Sequence, residues 1–310
     1  MEYEIALRTS VPIILLIFLG YLSRKTGLLK AGDERVLSMY VYYFALPSLF
    51  LVDLAETTLT LEHVKFVLAG AAPIFIVLTV YVSLYLILKF SRETFYLLVL
   101  TTVFGSTAFY GIPFLMFAFP GFAERLATLA ASSISSIGVS ISIGLLELYR
   151  LETPSLRRGL RILATRLSKN PLLLSVLIGF LLSLLNVNIP SVLSTVLHML
   201  GGTTATLAIF LLGTILYGKK CVRLKESIGL SLLRILFLPT ISLLISLLVG
   251  LPSLEKTVLI VMHSVPLAVS MIILSDRYNF HKEIVSSVVL ISSLSAVVYL
   301  NIWLFVSAYF

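Results

Sequence analysis

Ser106, Thr107 and Tyr110 crowd into the stretch TVFGSTAFYGIPFLMF, Thr102 to Phe117, beside Gly105, Gly111 and Pro113. Hydroxyls donate to and accept from small polar groups, while proline removes an amide and crowds the carbonyl four residues before it. A helix carrying this stretch is weakened at its centre. A second stretch, MHSVPLAVSM, Met262 to Met271, sets His263, Ser264 and Ser270 around Pro266. Both lie in apolar runs, where loose carbonyls and amides cannot face lipid and must line a protein-enclosed cavity. Two interrupted helices meeting there would present N-termini, each carrying about half a positive charge and favouring an anionic group. The binding residues expected on this reading are Ser106, Thr107, Tyr110, Gly111, Pro113, His263, Ser264, Pro266 and Ser270. Two plainer readings stand beside it: prolines also kink ordinary packing helices, and helical hydroxyls often bond back to a carbonyl.

Two further residues could carry charge. Histidine titrates near neutrality, so His263 is the candidate for coupling a proton, with a satisfied buried histidine as the alternative. Arg234 falls inside an apolar run, where a cation is costly unless it snorkels to the surface or faces a polar cavity. In the second case it would attract an anion.

The elements that must position these residues are membrane helices. The chain has 310 residues, 59% of them hydrophobic and 12% charged, with a mean hydropathy of +1.07, far outside the range of a soluble domain. Spans of about 20 apolar residues fit at 5–23, 36–52, 64–90, 96–119, 126–148, 171–188, 191–217, 226–250, 257–275 and 284–309. Glu2 and Glu4 precede the first span and no small-residue cleavage site follows it, so it reads as a mature helix and not a signal peptide. The lone Cys221 excludes an intrachain disulfide. With the N-terminus outside, 18 of the 23 lysines and arginines fall on the inner side, which puts both termini outside by the positive-inside rule. Topology then accounts for the +8 net charge. A nucleic-acid partner is not needed; anionic lipid heads at the basic 151–169 connection are the secondary reading.

The chain also repeats itself. PIILLIFLGYL from Pro12 and PLLLSVLIGFL from Pro171 share a proline, an apolar run, and a glycine followed by an aromatic, Gly20 with Tyr21 and Gly179 with Phe180. GIPF around Pro113 corresponds to SVPL around Pro266, and the serine-dense SSISSIGVSIS from Ser132 to SSVVLISSLS from Ser286. Three correspondences in order argue for two five-helix halves, 1–150 and 170–310, joined by the short cytoplasmic connection 151–169. Five is odd, so the second half enters the membrane inverted, an architecture common among secondary transporters.

Other chemistry is excluded or left open. No metal-ligand cluster, P-loop or nucleophile–base pair at useful spacing is present, so neither an enzyme, nor a cofactor, nor a bound metal is expected. Asp53, Glu147 and Asp276 all fall at span ends, which weighs against a mid-membrane carboxylate relay. Coupling stays open among a proton through His263, sodium held by carbonyls and hydroxyls, and uncoupled passage down the membrane potential. The serine clusters fit either a sodium site or close helix contacts.

STAFYGIP resembles the NTGF-x-GIP signature in the fourth helix of the auxin efflux carrier family, and DRYNFHKEIVSS, Asp276 to Ser287, resembles the segment after the ninth helix of the plant auxin carriers. KNPLLLSVLIG from Lys169 and YYFALPSLF from Tyr42 are similar to that family's sixth and second helices. The resemblance covers the whole chain. It implies an all-α membrane protein of ten transmembrane helices with broken, crossing helices 4 and 9, similar to sodium/proton antiporters and bile-acid symporters. It further implies a secondary carrier of small organic anions, such as carboxylates or auxin-like molecules, working as an efflux carrier in the plasma membrane by elevator-type alternating access. Helices 1, 2, 6 and 7 would form a scaffold and a homodimer contact, the others the moving part. A same-fold solute:sodium symporter and a ligand sensor on a carrier fold are the alternatives. Ser106 stands where the family motif has asparagine; it lacks the amide's two donor hydrogens, so substrate identity does not carry over. The plant carriers' long hydrophilic central loop is reduced to about twenty residues.

Overall fold

The computed structural model describes residues 2–58, 60–150, 164, 165 and 167–309. Arg157, Arg158, Arg161 and Arg166 of the expected inner connection lie outside the described residues. Those described form twelve helices and no extended strand: α1 (Glu2–Lys25), α2 (Asp33–Ala55), α3 (Leu61–Leu88), α4 (Arg92–Val103), α5 (Thr107–Ala118), α6 (Glu124–Arg150), α7 (Pro171–Leu184), α8 (Ser191–Leu216), α9 (Leu224–Val249), α10 (Ser253–Ser264), α11 (Ser270–Tyr278) and α12 (Lys282–Tyr309).

Seven of these, α1, α2, α3, α6, α8, α9 and α12, are long and apolar enough to cross a membrane. The expected fourth span is two shorter helices, α4 and α5, parted at 104–106, and the expected ninth is α10 and α11, parted at 265–269. The expected sixth span stops at Leu184, not residue 188. Its 14 residues reach only about 21 Å against a hydrocarbon core of roughly 30 Å. Asn186, with a left-handed φ of 51°, turns the chain there.

Local signals explain the helix starts. Thr60 and His63 form a reciprocal capping box at α3. Asn170 accepts from the amides of Leu172 and Leu173 at α7, with Pro171 in the first turn. Three of the prolines inside helices leave a different mark, while Pro12 and Pro73 are carried in α1 and α3 without one. Wide π turns occur at Val41–Ala45, Thr107–Gly111 and Leu233–Phe237, and each ends two residues before a proline, Pro47, Pro113 and Pro239. The wider turn accommodates the ring and the missing amide without ending the helix.

Glycines set the closest approaches. A Cβ on Gly20 of α1 would lie 2.0 Å from the carbonyl oxygen of Phe210 in α8, and one on Gly213 of α8 would lie 2.0 Å from that of Ile17 in α1. Gly179 of α7 packs in the same manner on Leu51 and Leu54 of α2. In a membrane, where apolar burial does not drive helices together, such backbone contacts are a main source of cohesion.

Candidate functional site

The two interrupted helices meet at their breaks. Gly105 and Leu267 pair in antiparallel fashion; the Ser106 amide donates to Pro266 O at 2.8 Å and the Ala268 amide to Phe104 O at 3.0 Å. Backbone groups released by breaking two helices are thus satisfied by each other. Ser292 of α12 supports the arrangement by accepting from the Leu267 amide at 3.2 Å.

Of the three residues expected to weaken the first stretch, Gly105 alone lies at the break. Helical continuity is lost at Phe104–Ser106, around Gly105, whereas Gly111 and Pro113 lie within α5. The π turn Thr107–Gly111 absorbs Pro113, so the proline bends the helix without parting it. Pro266 does lie within its break and supplies the carbonyl that Ser106 uses. Gly111 serves close packing: a Cβ there would sit 2.6 Å from Met262 Sδ.

Arg234 is the side chain that joins the two breaks. It is 1% exposed in the π turn of α9, which rules out snorkelling. Its Nε donates to Val265 O at 2.7 Å, and its guanidinium also donates to Thr102 O. These carbonyls belong to the C-terminal ends of α10 and α4, each carrying about half a negative charge. One guanidinium therefore caps two negative helix ends. Gly105 makes room for it, since a Cβ there would fall 1.8 Å from Nη2. The hydroxyls of Tyr81 and Thr102 bond beside it at 2.8 Å. Among the described residues, no carboxylate forms an ion pair with Arg234.

The remaining expected residues divide into engaged and open groups. Thr107 is bonded to the Ser135 hydroxyl of α6. Ser264 bonds back to Ile260 O at 2.7 Å, the plainer of its two readings. His263 is fully buried and its Nε2 lies 2.8 Å from Gly70 O in α3. A carbonyl only accepts, so Nε2 carries a proton; Nδ1 has no partner among the described residues. The Tyr110 hydroxyl is likewise buried and unpartnered there. Ser106 is buried at the N-terminus of α5; Ser270 opens α11 and is half-buried. The breaks thus bring together Ser106, Pro266 and Arg234 by direct contact, with Thr107, Gly111, His263 and Ser264 in the helices that flank them.

Sequence reasoning missed Thr102, Ser135, Ser292 and Gly70. Ser135 and Ser292 sit in the two serine-dense segments, but most of their neighbours, such as Ser132, Ser136, Ser140 and Ser295, bond back to carbonyls of their own helix. Composition alone does not separate them. Electrostatically, the negative helix ends at the breaks are neutralised by Arg234, whereas the N-termini of α5 and α11 keep their positive ends. That arrangement favours an anion.

Comparison with known proteins agrees on the class. Residues 5–143 and 123–304 match the family described as membrane transport protein. An uncharacterized transporter of Methanocaldococcus jannaschii is 25% identical over 300 residues, covering 94% of this chain and 95% of the relative. The uncharacterized transporter YfdV of Escherichia coli is 24% identical over 304 residues, covering 96% of each. With nearly the whole chain matched, this protein belongs to the membrane transport protein family, the auxin efflux carrier family that its motifs resemble, and is a membrane transporter and not an enzyme.

Proposed function

We propose that the protein is a secondary carrier of small organic anions, carboxylates or auxin-like molecules, which binds its substrate beside the paired breaks and delivers it outward across the cell membrane. The observation that carries this reading is the reciprocal bonding of Ser106 to Pro266 and Ala268 to Phe104. It brings two helix N-termini, α5 and α11, into one membrane-embedded region while Arg234 caps the opposite ends.

Ten spans in two inverted halves, with the broken helices crossing, organise the carrier. In support, Gly20 of the first span packs on the seventh and Gly179 of the sixth packs on the second, the pairing that such a repeat requires. On this reading α1, α2, α7 and α8 form the scaffold and the homodimer contact, and the other helices move as an elevator among the membrane lipids. Both termini face outward, in keeping with the distribution of lysine and arginine.

The test is counterflow in proteoliposomes with labelled mono- and dicarboxylates, with and without proton and sodium gradients, beside Gly105→Val. Accumulation of one carboxylate class that is lost in the variant supports the carrier, and a requirement for sodium would make it a symporter. Ligand-induced stabilisation without flux would replace the carrier by a sensor. Neither flux nor stabilisation would remove the reading.

A further inference from the structure

Arg234 has a consequence for substrate charge, and the argument rests on the carrier reading above. A guanidinium stays protonated at any physiological pH. The acids of the helices around it lie near helix ends and have partners elsewhere: Glu147 of α6 accepts from the Tyr278 hydroxyl at 2.5 Å, Glu226 pairs with Arg223, Glu93 lies by His281 and Asp276 by Lys282. Glu124, Glu255 and Glu283 are in the first turns of α6, α10 and α12. Among the described residues, the buried formal charges of the proposed moving part are Arg234 in mid-helix and, in end turns, Glu147 of α6 and Lys256 of α10, which are of opposite sign, so the uncompensated charge is that of Arg234.

The helix ends at the breaks sharpen this count. Two C-termini contribute about one negative unit and two N-termini about one positive unit. Arg234 is bonded to the first pair, so the positive excess falls at the start of α5, where Ser106 follows directly on the Gly105 that lies over the guanidinium.

We propose that Arg234 sets the valence of the transported solute at one negative charge. A monoanion seated at the N-termini of α5 and α11 brings the net charge of the loaded region to zero. A dianion leaves it at minus one, and an empty or neutral-loaded site leaves it at plus one. Net charge in the membrane interior is costly and responds to the transmembrane potential. The loaded step is thus insensitive to voltage, and the return of the empty carrier is the step on which the potential acts. Arg234 is a positioning residue for the breaks and a specificity determinant by charge.

Homoexchange uses only the loaded step, whereas net flux uses both, so comparing the two tests the proposal in the intact protein. Wild-type proteoliposomes would be given labelled acetate, benzoate, indole-3-acetate, malonate and malate, with potentials set by potassium and valinomycin. A monocarboxylate should be the fastest substrate. Its homoexchange should change less than about twofold over ~100 mV while its net flux changes severalfold, one charge over that potential being worth about 50-fold at equilibrium. In Arg234→Gln, exchange should become voltage-dependent, and Arg234→Lys should restore the wild-type pattern. A dicarboxylate exchanging fastest, or wild-type monocarboxylate exchange that follows the potential, would overturn the valence assignment and leave the carrier intact. No flux of any of the five by folded protein would overturn both.

Discussion

The indole N–H of Trp303 in α12 donates to the carbonyl oxygen of Ile235 in α9 at 2.8 Å, and that oxygen is the one that Pro239, four residues on, leaves without an amide. The single tryptophan of the chain thus supplies, from a neighbouring helix, the donor that a proline removed. It also holds the π turn that carries Arg234.

Trp303→Phe keeps the ring but leaves the carbonyl unpaired, at a cost of about 1–3 kcal/mol. Thermal unfolding in detergent should shift down by several degrees. In a Pro239→Ala background, which restores an amide at the carbonyl, the same substitution should cost less. Equal costs in the two backgrounds would separate Trp303 from the proline.

Gly105→Ala places a Cβ where Arg234 Nη2 now lies, 1.8 Å away. The guanidinium can yield only by giving up its bonds to Val265 and Thr102. Counterflow should fall more than about tenfold, the loss expected when a positioning contact moves by an ångström. Gly202→Ala, with open space around its Cβ, should transport normally. Wild-type flux in Gly105→Ala would show that the bridge does not hold the site.

How much of this was legible in the sequence depends on what each residue answers to. Apolar runs and prolines follow one-dimensional rules, so the weakened centres near Gly105 and Pro266 could be read directly. The exact seat of the first break could not, because whether Pro113 parts a helix or merely widens a turn is decided by neighbours such as Met262 and Val265 packing on Gly111. Arg234 was visible as a costly interior cation, but its partners are backbone carbonyls of distant segments, and carbonyls carry no sequence signature. Asp53 lies at a span end, as read, in the last turn of α2, but its burial against the Thr128 hydroxyl of α6 at 2.7 Å could not be read. That bond links residues 75 positions apart.

Gly213 and Gly229 predict opposite signs for one substitution. Gly213→Ala would drive a Cβ to within 2.0 Å of Ile17 O and force α1 from α8, so the unfolding temperature should fall. Gly229, in α9, has nothing within 4 Å of its Cβ position, and alanine there gains up to about 1 kcal/mol of helix propensity. Stabilisation of both variants would mean that the α1–α8 contact is looser than its geometry.

Relative movement of α2 and α6 has its own test. Asp53 and Glu56 are one turn apart at the end of α2, and they meet Thr128 and Arg125, one turn apart on α6, at 2.7 and 3.3 Å. The rungs run antiparallel. A shift of α6 along α2 by one turn, about 5.4 Å, would bring Arg125 level with Asp53, the kind of discrete step that packed helices permit. Glu56 also accepts from Ser194 at 2.8 Å and lies 3.1 Å from His198, both in α8, so the present register is held from the scaffold side as well. In a Cys221→Ser background, Glu56→Cys with Arg125→Cys can be bridged by a short bismaleimide, because Arg125 is 60% and Glu56 31% exposed. Bridging should reduce counterflow more than about tenfold while either single cysteine treated alike keeps its flux. If the bridged protein exchanges substrate at the wild-type rate, α2 and α6 travel together, and the division into a scaffold containing α2 and a moving part containing α6 is wrong.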